Sequence, residues 1–237
     1  MKFKRILLKL SGEVFEGDKG FGMDFKKILE FAKEIKDVRK SGVQIGIVVG
    51  GGNIWRYRDF SNVEFLERTD SDMLGMMATV MNSVVLSSAL KKCGVQSRVM
   101  SSFPCESLCE TYNIANAKKY LELGEVLIFA GGTGSPFFTT DSASALRALE
   151  MKCDVLMKAT KVDFVYDKDP VKFKNAKKFE TLKFSDVVKM KLGVMDLTCA
   201  SLLDEGSIPM LVFNLTKKGN IKKAVKGVKV GTLISSK

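Results

Sequence analysis

The chain contains no histidine, only 4 prolines and a single tryptophan, and its 5 cysteines are odd in number and scattered. Cys105 and Cys109 stand four apart, but no histidine is present to complete a zinc-type ligand set. The cysteines therefore read as free thiols of a reducing cytosol, not as a disulfide framework or a metal site. No Pro/Gly/Ser-rich linker, low-complexity tract or repeat breaks the 237 residues, which points to one domain spanning 1–237. No apolar run looks long enough to span a bilayer. The start, Met1-Lys2-Phe3-Lys4-Arg5-Ile6, is too short and too charged for a signal peptide, so a cytoplasmic location is expected. Two nucleotide-binding signatures are also missing. There is no G-x-x-x-x-G-K-[ST], and no G-x-G-x-x-G with a ribose-binding acid downstream.

Glycine-rich junctions of another kind are present. Val43 to Val49 is a β-branched, apolar strand pattern that runs into Gly50-Gly51-Gly52-Asn53. Glu125 to Ala130 is a second, running into Gly131-Gly132-Thr133-Gly134-Ser135-Pro136-Phe137-Phe138-Thr139-Thr140-Asp141. Arg5 to Leu10 is a third, ending at Ser11-Gly12. Glycine lets backbone amides approach an anion, and a following helix N-terminus adds its positive dipole end. Three such junctions, with Lys9 and Asp141, suggest a site for two phosphorylated ligands.

The remaining pattern alternates strands and helices. Residues 13–23 read as a loop. Asp24 is set to cap a helix bearing Phe25, Ile28, Leu29, Ala32, Ile35 and Val38, closed near Gly42. Asp70 or Asp72 is set to cap a Met-rich helix through Leu90, whose stripe suits a core or a subunit interface. A strand at 97–100, a helix at 116–123, a helix capped within Thr140-Asp141-Ser142, and a strand at 154–158 follow. Residues 161–170 read as irregular or hairpin. Helices at 184–190 and 195–203, a strand at 208–213, a lysine-rich helix and a terminal strand complete the chain. Such alternation predicts a mainly parallel sheet covered on both faces, with ligands outside the carboxyl ends of its strands. That would gather Lys9, Gly51 and Asp141 at one crevice.

The net charge of +11 admits nucleic acid, an anionic membrane or phosphorylated metabolites as partners, and no membrane partner is expected. Much of the excess lies in Lys217, Lys218, Lys222, Lys223, Lys226 and Lys229, a tail without aromatic residues. It reads as a solvated face, and nucleic acid is not the favoured partner.

In this order, KLSG, VVGGGN-x-x-R, a Met-rich helix, GTGSPFFTTDSA and KATKVD-x-VY-x-x-DP closely resemble the bacterial UMP kinases of the amino acid kinase family, from Ile6 to Ile234. The resemblance implies an α/β/α sandwich without a P-loop. It also implies transfer of the γ-phosphoryl group of ATP to UMP, Mg²⁺ carried with ATP, and a homohexamer. Carried over by position, Lys9, Leu10, Ser11 and Gly12 match the ATP-phosphate loop, and Gly52 and Arg56 match further ATP contacts. Thr160, Tyr166 and Asp169 match the ATP nucleoside pocket. Gly51 and Asp72 match UMP contacts, Asp72 at the ribose. Thr133, Gly134, Ser135, Pro136, Phe137, Phe138, Thr139 and Thr140 match the UMP loop. Lys9 and Asp141 match the reaction centre, Asp141 suited to organising Mg²⁺ or the lysines.

Asp196 reads as an N-terminal helix charge outside the site. Ser135 stands where relatives commonly have Asn, and Phe164 where they commonly have Gly. Relatives activated by GTP often carry Arg-Asp where this chain has Ser87-Ser88. That leaves Arg98 and Lys91 as phosphate partners and implies weak activation. Taken singly, Asp72 and Asp141 are also plain helix N-cap candidates. Kinases of carbamate, acetylglutamate or aspartate share the fold; the FFTTD loop and the lack of an appended regulatory domain argue against aspartate.

Overall fold

The computed structural model describes residues 2–60 and 63–236. In chain order the elements are β1 (Arg5–Leu10), α1 (Glu13–Glu16), α2 (Phe25–Arg39), β2 (Gln44–Val49), α3 (Arg68–Lys92), β3 (Ser97–Ser101) and β4 (Glu110–Thr111). Next come α4 (Ile114–Glu122), β5 (Val126–Ala130), α5 (Thr140–Glu150), β6 (Val155–Thr160), β7 (Val165–Tyr166), β8 (Lys178–Phe179) and β9 (Thr181–Lys183). The chain ends with α6 (Phe184–Lys189), α7 (Leu197–Glu205), β10 (Met210–Asn214), α8 (Asn220–Val225) and β11 (Gly231–Ser235).

Nine strands form one sheet in the order β4-β3-β5-β2-β1-β6-β10-β11-β9. Its pairings are parallel except β10 with β11. The strands at its centre are apolar throughout because both faces are covered. Alternation along each strand sorts the side chains. On β1, Ile6, Leu8 and Leu10 join the core beneath α2, α3 and α8, while Leu7 joins the core beneath α4, α5 and α7. On β6, Val155, Met157 and Ala159 take the first face and Leu156 the second. Two helical layers around a sheet give the expected α/β/α sandwich.

Asp24 caps α2 as expected, accepting from the amides of Lys26 and Lys27 at 3.0 and 3.2 Å, but Phe25 at its start is exposed. The segment expected to be loop contains the one-turn α1. The N-cap of α3 is Glu67, so neither Asp70 nor Asp72 fills that role. Thr139 caps α5, leaving the Asp141 carboxylate free of that task. By length and composition the 25-residue α3 could cross a membrane, contrary to the sequence expectation. Here it is a core helix. Thr79, Asn82, Ser83 and Ser87 are buried on it, and Thr79, Asn82 and Ser87 hydrogen-bond neighbouring elements.

Candidate active site

Lys9 and Lys158 are register neighbours on adjacent parallel strands, so both emerge on the same face of the sheet at its carboxyl edge. The N-terminal turn of α5 lies over that face and delivers Asp141 between them. Its Oδ1 is 2.9 Å from Lys9 Nζ, and its Oδ2 accepts a hydrogen bond from Lys158 Nζ at 2.7 Å. All three side chains are nearly buried. Burial alone would raise the Asp141 carboxyl, but the Lys9 and Lys158 charges override it and hold the group below the ordinary carboxylate range. Burial and the Lys9 charge lower the Lys158 ammonium, with Asp141 opposing them. Lys158 also donates to the Val194 carbonyl. One carboxylate therefore holds two cations, beside helix amides that favour its negative form.

Lys158 lies inside the KATKVD stretch, where the sequence pattern alone gives it no role. Its signal is a lysine inside an otherwise apolar strand, the same signature as Leu7-Leu8-Lys9.

The Ser11-Gly12 and Gly50-Gly51-Gly52 junctions meet as expected. The Gly50 amide donates to the Leu10 carbonyl at 2.8 Å. Leu10 itself is buried, so only its backbone can serve a ligand. A Cβ on Gly12 would lie 2.6 Å from the amide nitrogens of Gly52 and Asn53, and one on Gly51 would lie 2.5 Å from the Gly75 carbonyl. Only glycine permits these approaches. Two buried asparagines brace the turn. Asn82 donates to the Gly50 carbonyl at 2.8 Å and to Asn53 Oδ1 at 2.7 Å, and Asn53 donates to the Gly22 carbonyl at 2.8 Å. Arg56 reaches back to the Gly52 carbonyl, and its guanidinium lies 3.8 Å from carboxylate oxygens of Glu13 and Glu16 on α1.

The Gly131 junction opens the loop that the resemblance assigns to UMP. Gly131, Gly132 and Gly134 have positive φ, as does Phe137 at 71°, a left-handed conformation a bulky residue rarely adopts. Its amide donates to Asp72 Oδ2 at 2.9 Å, joining Asp72 to the loop across 65 residues. Arg68 binds both Asp72 oxygens at 2.9 Å and stacks on Tyr57 at 4.1 Å. Phe137 and Phe138 are exposed. The Thr133 hydroxyl bonds within the loop to Ser135. Thr139, besides capping α5, donates to Asp196. Asp196 is a helix cap, as expected, accepting from the Cys199 amide at 2.8 Å, but it also accepts from Ser142 at 2.8 Å and so ties α7 to the start of α5.

The expected nucleoside pocket is gathered only in part. Ser11 and Thr160 line a cavity of about 870 Å³ with Glu13, Lys161 and Thr216. Tyr166 lies on the β7–β8 arm and Asp169 is exposed beyond it, both outside that lining. Phe164 lies under Lys178, 4.7 Å from ring centre to Nζ. No group of three His, Cys, Asp or Glu fit to hold a metal occurs among the described residues, and both oxygens of Asp141 face lysines. This donor set does not suit a resident Mg²⁺.

Lys9 and Lys158 thus stand paired on adjacent strands with Asp141 between them, in a chain that has no P-loop. The chain belongs to the amino acid kinase family, whose model matches residues 4–214. It is 48% identical over 225 residues to the uridylate kinase of Rickettsia bellii, covering 95% of this chain and 94% of that one. It is 46% identical over 233 residues to the uridylate kinase of Bacteroides thetaiotaomicron, covering 98% of each. The crystal structure of UMP kinase from Bacillus anthracis superposes with a TM-score of 0.96 at 35% identity, covering 100% of this chain and 97% of that one.

Proposed function

We propose that the chain transfers the γ-phosphoryl group of ATP to UMP, forming UDP and ADP in pyrimidine nucleotide synthesis. The observation that carries this is Asp141 holding Lys9 and Lys158 together between two glycine turns. A phosphate oxygen of UMP attacks the γ-phosphorus in line, and the bond to the β,γ-bridging oxygen breaks. Phosphoryl transfer asks for positioning and charge stabilisation more than covalent help. Lys9 and Lys158 face the charge that builds on the transferred group, and Asp141 keeps both ammonium groups aimed inward. The Ser11-Gly12 and Gly52 amides, with Arg56, cradle the ATP phosphates. Thr160, Tyr166 and Asp169 serve the ATP nucleoside, and Asp72 with residues 133–140 takes UMP. ATP would bring Mg²⁺ as part of the substrate complex, and the ion would supply charge neutralisation there.

Residues 1–237 act as one catalytic unit in the cytoplasm. Free thiols at all five cysteines support a reducing compartment. Met73, Leu74, Met77 and Met81 form an exposed apolar stripe on α3. It supports self-association, with a homohexamer as the proposed assembly. The lysine tail supports nucleic-acid binding poorly, since Lys217 and Lys229 are spent on Asp163 and Glu180 at 2.7 and 3.8 Å. A coupled ADP-release assay across UMP, CMP, dUMP, dTMP and AMP tests the activity. Turnover of UMP well above the others is expected, and comparable rates on CMP or AMP would refute the specificity.

A further inference from the structure

Arg147 lies outside every role given so far, yet it is 4% exposed, and a buried arginine is costly unless all its donors are used. Its Nη1 pairs with Glu150 at 2.5 Å, and its guanidinium stacks 3.6 Å from the centre of the Tyr112 ring. The Tyr112 hydroxyl donates to the same Glu150 oxygen at 2.7 Å. These contacts form a closed set, rigid because each member has two partners. One further donor leads out of it: Nη2 donates to Ser102 Oγ at 3.0 Å.

That bond has a direction. A guanidinium can only donate, so Ser102 must accept from it and spend its own proton elsewhere. The nearer acceptor is the Gly132 carbonyl at 2.7 Å. From the other side, Thr79 on α3 gives its proton to the Met76 carbonyl and accepts from the Gly131 amide, both at 2.7 Å. The Gly131-Gly132 pair is thus held by its N–H from α3 and by its C=O from Ser102. Across a trans peptide, carbonyl and amide point in opposite directions. With the Gly132 carbonyl fixed toward Ser102, the Thr133 amide is turned away from it.

We infer that Ser102 and Arg147 are positioning residues for the acceptor-nucleotide loop, setting the Gly132–Thr133 peptide so that the Thr133 amide is presented to the acceptor nucleotide. This rests on the reading of residues 133–140 as the UMP loop. Neither residue touches substrate. Arg147 acts by forcing the direction of the Ser102 hydroxyl, and Ser102 by holding the peptide. The two glycines give the turn its conformation, both having positive φ, but the flexibility that permits this must be constrained from outside.

The test is steady-state kinetics on four variants of the full chain, with circular dichroism as the check on folding. Ser102→Ala removes the donor and little volume. It should raise KM for UMP about fivefold to tenfold, the scale of one lost hydrogen bond, with KM for ATP within about twofold of the parent. Ser102→Thr restores a hydroxyl and should bring KM for UMP back. Arg147→Lys keeps the charge but loses the stack and the fork, and should move KM for UMP in the same direction as Ser102→Ala. The fourth, Asp72→Asn, probes the loop assignment itself. If Asp72→Asn raises KM for UMP and Ser102→Ala does not, the positioning role is overturned. Parallel rises for UMP and ATP in Ser102→Ala would overturn it too. If neither variant changes KM for UMP, the assignment of the loop falls as well.

Discussion

Lys9, Asp141 and Lys158 share one ionic contact set, so a change in any one is felt by the others. Asp141→Asn removes the charge that aims both lysines and should lower kcat by about 10² or more, with folding retained, as expected for lost preorganised electrostatics. Single-turnover kinetics with saturating nucleotides would check this. The pH dependence follows from the signs. Asp141 is held below its ordinary value, so the stability its pairing adds is complete above about pH 4 and is lost as the pH falls through the depressed pKa. Lys158 is lowered by burial and by Lys9, so as pH rises the folded protein releases that proton before an ordinary lysine would. The alkaline limb of kcat/KM should therefore fall below about pH 10.4. Lys158→Arg should move that limb upward if Lys158 is its source, and an unmoved limb would assign it to another group.

At the scale of elements, α3 braces one glycine turn through Asn82 and anchors another through Thr79. Asn82→Ala would leave the Gly50 carbonyl and Asn53 Oδ1 without their buried donors. A loss of about 2 kcal/mol in unfolding free energy is expected, read as a lower denaturant midpoint at constant slope. A midpoint within error of the parent would mean that the turn relaxes and finds other donors.

The elements themselves were largely legible. β1, β2 and β5 read as apolar runs stopped by glycine, and Asp24 announced α2. What escaped was short or counter-intuitive. α1 is a single turn enclosed by glycines, and β4, β7, β8 and β9 have too few residues to show a period. Asp72 and Asp141 sit at helix starts where a cap is the commoner role, yet each carboxylate crosses to a distant partner. Long-range pairing of that kind leaves no local pattern. Lys158 is hard to single out because a lysine after an apolar run reads as the end of a strand, whereas β6 continues to Thr160.

At the scale of the whole molecule, the Met73–Met81 stripe of α3 is an apolar surface that a second copy could cover. Met77→Glu with Met81→Glu should shift the sedimenting species to lower mass. A parent chain that sediments as an active monomer would rule out the assembly proposed above. Ser87 and Ser88 lie toward the other, C-terminal end of α3. Ser87 is buried against Ser97 at 3.0 Å, and Ser88 is spent on the Val84 carbonyl at 3.0 Å. Arg98 is forked onto Glu125 at 3.0 and 3.1 Å, lies 3.4 Å from Glu110 and stacks on Tyr120. A triphosphate would have to displace those carboxylates, so GTP should activate weakly. A GTP titration at fixed UMP and ATP checks this, and strong activation at micromolar GTP would show that other groups bind it.

The register that sets Lys9 beside Lys158 makes the sheet a ruler. Neighbouring strands stand about 4.8 Å apart wherever backbone pairs with backbone, and that pitch varies little. The separation of the two lysine backbones is thus a metric property of the backbone ladder and not an adjustable choice of side chains. The same ruler is unforgiving along the strand. Deleting one residue from β6 ahead of Lys158 would turn the lysine to the α2 side of the sheet, among apolar residues, while leaving the composition of the strand almost unchanged. The chemistry here tolerates drift on its surface but not a slip of one step in its frame.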